Sequence, residues 1–143
     1  VAFFPGGIFR HERFYLDRAT GVLHRKYPFI LAAPPDRDLV VRTLTSRAHG
    51  RRKNPACFHG DPYPGFYLGV PGGALSLKTW VDLRAQDDLD VDEFHRLQRQ
   101  GVVEWELDLD ETALKAALDC VAGAQDTTRQ QEQMIRDVLA RLD

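Results

Sequence analysis

The residues best suited to chemistry crowd into one stretch, DLVVRTLTSRAHGRRKNP, positions 38 to 55. Leu39, Val41 and Thr43 alternate with Val40, Arg42 and Leu44 as a strand would require, and Thr45 and Ser46 close the run. Arg47, His49, Arg51, Arg52 and Lys53 follow directly. Hydroxyl groups donate to phosphate oxygens, and the planar Arg fork pairs with two of them at once. Such cations also stabilise the extra charge of a phosphorane-like transition state. A second basic cluster, His24, Arg25 and Lys26, stands just before the apolar run KYPFILAA, and whether it meets the first depends on how the strands pair. Tyr27, Phe58, Tyr63, Phe66 and Tyr67 add aromatic faces on which single-stranded bases can stack, although Phe66 and Tyr67 also suit a core. Among the histidines, His24, His49 and His59 offer imidazoles, which titrate near pH 6.5 when unperturbed.

The charge balance sharpens this reading. The formal net charge of the 143-residue chain is −2, yet residues 1–55 hold 11 Lys/Arg against 4 Asp/Glu, a net of +7, and the remainder carries −9. A basic first part fits a phosphate-bearing partner, and an acidic second part keeps that partner to one side. Two solvated clusters that cancel in the fold would produce the same numbers.

To position these groups the chain needs one core, and its length and 43% hydrophobic content supply one domain over 1–143. GGIFRHERFYL, KYPFILAA, DLVVRTLTS, GFYLGV and ALSLKTWVDL read as five short strands separated by DRATG, PPDRD, a Gly/Pro-rich loop and PGG. That spacing predicts a small barrel or a strongly bent sheet. The period then changes. DVDEFHRLQRQG predicts a helix capped by Asp90 and stopped at Gly101, VVEWEL an edge strand, and DLDETALKAALDCVAG a second helix beginning around Asp108 and Glu111. From Thr127, the stripe Met134, Ile135, Val138, Leu139 and Leu142 predicts an amphipathic helix that covers the chain's own sheet or a partner. The fold class is therefore α+β, mainly β.

Other chemistries find little support. The chain has no phosphate-binding GK[ST] loop, HExxH, GxSxG or GxGxxG. Five scattered histidines and two cysteines without CxxC spacing suggest no metal, no cofactor and no disulfide framework, with Cys57 a loop thiol beside Lys53, His59 and Asp61. No apolar run approaches a membrane span. VAFFPGGIF lacks the charged leader and long apolar stretch of a signal peptide, so the expected compartment is the cytoplasm.

The order of these features resembles the PemK/MazF family of bacterial toxins. GGIFRHERF is similar to the family's opening G-x-[IV] strand, KYPFILA to its RPxLV strand and VVRTLTSR to the strand ending in Thr or Thr-Ser. ALSLKTWVDLRAQDDLDVDEFHRLQRQG is similar to the later strand, linker and helix, and DLDETALKAALDCV to the closing helix. The resemblance spans about residues 6–122 and implies an SH3-like barrel, with 123–143 an additional C-terminal helix. It further implies a homodimer that cleaves single-stranded RNA without metal, leaving 2′,3′-cyclic phosphate and 5′-hydroxyl ends, and a cognate antitoxin whose acidic or amphipathic tail competes for the groove.

Within that resemblance Thr45 matches the Thr that serves cleavage, with Ser46 beside it. The family's Arg stands directly before the Pro; here Tyr27 precedes Pro28, with Lys26 and Arg25 one and two positions earlier. Either a shifted register gives Arg25 or Lys26 that role, or activity is weakened, altered or lost. Arg42, Arg47, His49, Arg51, Arg52 and Lys53 are the expected RNA-binding set. The alternative is a barrel without catalysis that binds nucleic acid or inhibits a protein, as the related CcdB toxins do. RDVLARLD, however, has no Trp-containing match to their closing helix.

Overall fold

A computed structural model describes residues 2–142. Seven strands form one antiparallel sheet: β1 (Gly7–Asp17), β2 (Val22–Ala32), β3 (Val40–Thr45), β4 (Cys57–Phe58), β5 (Gly65–Gly69), β6 (Thr79–Asp82) and β7 (Val103–Asp108). Their order across the sheet is β4-β5-β6-β3-β2-β1-β7. The sheet is not closed, because β4 and β7 are its two edges and do not pair. Of the two expected architectures, this removes the closed barrel. The helices are α1 (Val91–Arg99), α2 (Glu111–Ala122) and α3 (Arg129–Leu142).

Strand alternation assigns each residue a layer. Phe29 and Leu31 of β2, Val40 and Leu44 of β3 and Val81 of β6 face a large core completed by Leu114, Leu118 and Val121 of α2 and Ile135 and Val138 of α3. On the opposite face Phe9, Ile30, Val41 and Val103 pack with Phe3 and with Phe94 of α1. The C-terminal amphipathic helix thus covers its own sheet.

Helix α1 is short and covers only part of its face. Asp90 caps it by accepting from Glu93 N at 2.8 Å, and Gly101 follows its end at φ +77°, a left-handed conformation that glycine adopts without strain. Beyond its reach, the side chains of Lys26, Thr43, Thr45 and Asp82, which share parity with Ile30 and Val41, line open clefts.

Four boundaries differ from expectation. β2 begins at Val22, so His24, Arg25 and Lys26 lie within a strand rather than before it. β6 is confined to Thr79–Asp82, because Gly72 and Leu75 exchange a tight pair of backbone bonds that takes Leu75 into the core and leaves Leu77 exposed. The α2 cap is Asp110, accepting from Ala113 N at 2.8 Å, since Asp108 still pairs with Gly7 in the sheet. The short β4, hidden in a loop with no alternating pattern, joins the edge of β5.

Candidate functional site: a basic groove on the open face

The register that sets Tyr27 opposite Leu44 carries Lys26, just before the part of β2 that pairs with β3, to the level of Thr45 at the end of β3. The two basic clusters therefore meet. A cleft of about 550 Å³ is lined by His24, Arg25, Lys26, Thr43, Thr45, Arg47, His49 and Arg51, with Tyr15, Asp17, Tyr63, Asp82 and Arg84. A second cleft of about 570 Å³ shares Tyr15, Lys26, Thr43, Asp82 and Arg84 with it, so the two run together along the face. At the strand ends a smaller hollow of about 210 Å³ adds Tyr27 and Ser46 to Arg25, Lys26, Thr45 and Arg47.

Residues 46 to 64 make one wall. Their anchor is Trp80, buried under the loop and donating from Nε1 to the Arg52 carbonyl at 2.8 Å. A tight turn at His49 (φ +38°) and Gly50 (φ +81°) reverses the chain, and Arg51 donates to the Arg47 carbonyl at 2.6 Å. The Arg51 guanidinium lies 5.0 Å from the centre of the Tyr63 ring, and the His49 ring is 6.2 Å from the same ring. Burial lowers the pKa of Arg51, partly offset by Asp82, yet a guanidinium keeps its charge.

The first of these clefts carries five Arg or Lys side chains against two Asp. Asp82 is taken by Arg84, which donates to it from Nε and Nη2, the latter at 2.7 Å. Burial opposes ionisation of Asp82, but the Arg84 bonds outweigh it and hold the carboxyl below its usual range. Arg25 is held by Glu12 at 3.1 Å, which raises its pKa further. Lys26, Arg47 and Arg51, by contrast, form no ion pair among the described residues. The Thr45 hydroxyl accepts from Arg47 N at 3.2 Å, which leaves its own proton free to donate.

Three of the expected RNA-binding residues lie elsewhere. Arg42 is fully buried on the helix-covered face, where it donates to the carbonyl of Val41, to Thr127 Oγ1 and to Gln131 Oε1. A one-residue step along β3 from Val41 or Thr43 changes faces, so Arg42 cannot share their groove. Arg52 stacks over Phe58 at 4.4 Å, outside the lining. Lys53 is exposed beside Lys78, whose ammonium lowers its pKa. Tyr15, Asp17, Asp82 and Arg84 were not among the expected site residues; the Asp-Leu-Arg spacing of 82 to 84, which lets Arg84 reach back to Asp82 just past the end of β6, was the available hint.

A separate cluster corrects the reading of the cysteines. Cys57 of β4 and Cys120 of α2 form a disulfide, and His59 Nε2 stands 3.3 Å from Cys57 Sγ and 3.6 Å from Cys120 Sγ. The two lie 63 positions apart, so no local spacing announced the pair. Among the described residues no helix is long and apolar enough to cross a membrane. Compared with protein-family models, curated proteins and solved structures, the chain gives no match.

Proposed function

We propose that the groove docks single-stranded RNA and that the protein cleaves it by transesterification without metal. One observation carries the reading: Lys26, Thr45, Arg47, His49 and Arg51, drawn from two strands and a loop, converge on one cleft, and Lys26, Arg47 and Arg51 form no ion pair among the described residues. The cleft encloses about 550 Å³, and Tyr63 in its lining supplies a stacking face. In this reading the sheet corresponds to an SH3-like barrel opened between β4 and β7, and the resemblance to PemK/MazF toxins adds a homodimer and an antitoxin with an acidic segment that competes for the cations.

The chemistry follows from these donors. The ribose 2′-hydroxyl attacks the adjacent phosphorus while its proton passes to a base, with His49 the imidazole at the groove wall. The P–O5′ bond breaks and O5′ takes a proton, leaving a cyclic phosphate and a 5′-hydroxyl. Lys26 and Arg51 balance the extra charge on the phosphorane, and Thr45 donates its free proton to a phosphate oxygen. Lys26, rather than Arg25, fills the cationic role, because Glu12 already holds Arg25.

The test is incubation of the purified chain with mixed-sequence single-stranded RNA in EDTA, beside Thr45→Ala and Lys26→Gln, with analysis of product ends. Cyclic-phosphate ends that fall at least about a hundredfold in both variants support the assignment. Intact RNA with salt-sensitive binding reduces the protein to an RNA-docking module, and no binding removes RNA altogether.

A further inference from the structure

The geometry points to a second, chemically distinct site: once its disulfide is reduced, Cys57, Cys120 and His59 form a zinc site with one open coordination position. The ligand atoms of the three residues lie within 4.8 Å of one another, with Cys57 and His59 half-buried and Cys120 buried. In a tetrahedral zinc centre with Zn–S near 2.3 Å and Zn–N near 2.05 Å, a sulfur and a nitrogen ligand stand about 3.5 Å apart. The two sulfur–nitrogen distances here, 3.3 and 3.6 Å, bracket that value. Reduction frees the two sulfurs to take up the separation of about 3.8 Å that a tetrahedral centre requires.

The surroundings favour a cation. Cys120 lies in the last turn of α2, where the helix dipole presents its negative end. Gly123 makes room for the imidazole: a Cβ there would meet His59 Cε1 at 3.3 Å. In the oxidised form His59 Nε2 donates to the Cys120 carbonyl at 2.9 Å; metal binding shifts the proton to Nδ1 and frees Nε2 as a ligand. Two thiolates and an imidazole are the donors zinc prefers, and no other Cys, His, Asp or Glu among the described residues joins the group. The fourth position therefore falls to water.

The redox step balances simply. A dithiol reductant supplies two electrons and two protons, the S–S bond opens to two thiols, and the reductant closes to its own disulfide. Zinc then displaces both thiol protons to solvent. A reducing cytoplasm holds such pairs as dithiols, whereas an oxidising compartment keeps the disulfide and excludes the metal. This site is independent of the RNA groove, and its test does not use RNA.

The experiment titrates the full chain, reduced and freed of reductant under anaerobic conditions, with Zn²⁺ against a chromophoric chelator, and in parallel with Co²⁺. One equivalent should bind, with the thiolate-to-cobalt charge-transfer band and the visible bands of a tetrahedral centre. The oxidised chain should bind none. Loss of even an outer-shell partner costs a metal site about 10–100-fold, so His59→Gln should weaken binding at least about tenfold while both thiols remain countable. The proposal is overturned if the reduced wild-type chain takes up no zinc, if its thiols cannot be released by excess reductant, or if His59→Gln binds with unchanged affinity and spectrum. The wild-type titration decides the matter even where a variant fails to fold.

Discussion

Replacing Arg42 with Met separates a structural cation from a docking one. Arg42 donates at 2.8 Å to the Val41 carbonyl, at 3.2 Å to Thr127 Oγ1 and at 3.1 Å to Gln131 Oε1, tying β3 to α3. Bonds from a charged donor contribute about 1.5–3 kcal/mol each, so the three together set an upper bound of about 4.5–9 kcal/mol on the loss. Against this stands the several kcal/mol needed to strip water from a buried ion. That cost is visible in the depressed Arg42 pKa, caused by burial, and in its Nε, which is buried without a partner. Met restores much of the volume, and Thr127 and Gln131 keep other partners in Val121 and Thr128. The net loss should be about 2–3 kcal/mol, a large share of the 5–15 kcal/mol typical of a domain. Urea unfolding followed by circular dichroism reads this directly, with RNA affinity and its salt slope measured on the same preparation and expected to be unchanged. A stability change within about 0.5 kcal/mol, as at an ordinary surface site, would refute the burial argument, and weaker RNA binding at unchanged stability would return Arg42 to the groove.

Three further outcomes are expected. Arg47→Gln, at a groove cation with no ion pair among the described residues, should lower the dependence of log affinity on log salt by about 0.7, the value for one phosphate contact on a single strand; fluorescence anisotropy at several salt concentrations measures it. His11 is buried, its Nδ1 accepts from Arg13 N at 3.1 Å, and burial lowers its pKa below 6.5, so the unfolded chain binds the proton first. Stability is accordingly full above pH 6.5 and declines as pH falls from there towards the folded value, by up to about 1.4 kcal/mol per pH unit; His11→Gln should flatten that part of the unfolding profile. Trp80→Phe removes the bond to the Arg52 carbonyl and should cost about 1 kcal/mol while speeding proteolysis within 46 to 64; a loop cleaved no faster would show that Trp80 does not anchor it.

Elements whose signals are local were legible in the sequence. Alternation placed β3, flanking turns marked out β1 and β5, the edge position of β7 was expected, and Asp90 with Gly101 bounded α1. What sequence could not supply was the side of the sheet and the partner across it. Arg42 and Thr43 are neighbours in the chain, yet strand geometry sends one into a helix-covered core and the other to an open face. β4 is a two-residue pairing created by its neighbour, and the Cys57–Cys120 link depends on α2 docking beside it. Register likewise joined Lys26 to Thr45, a meeting that composition could only suggest.

The fold also explains how a chain with a net charge of +7 in its first 55 residues and −9 beyond them becomes one body. Some of the early cations are consumed internally: Arg10 by Glu12, Glu104 and Glu106, Arg25 by Glu12, and Arg42 by the β3–α3 network, with Asp88 and Asp126 near it. These contacts draw the acidic later segments onto the edge strand and the helix-covered face. Of the early cations that form no ion pair among the described residues, Lys26, Arg47 and Arg51 lie in the cleft on the face that α1 is too short to cover. Part of the acidic excess is thereby drawn to the edge strand and the helix-covered face, while Asp17, Asp82 and Asp126 remain among the residues lining the open clefts. If the proposed RNA docking holds, a partner protein that laid a helix or an acidic segment across the groove would compete for it through carboxylates aimed at Lys26, Arg47 and Arg51.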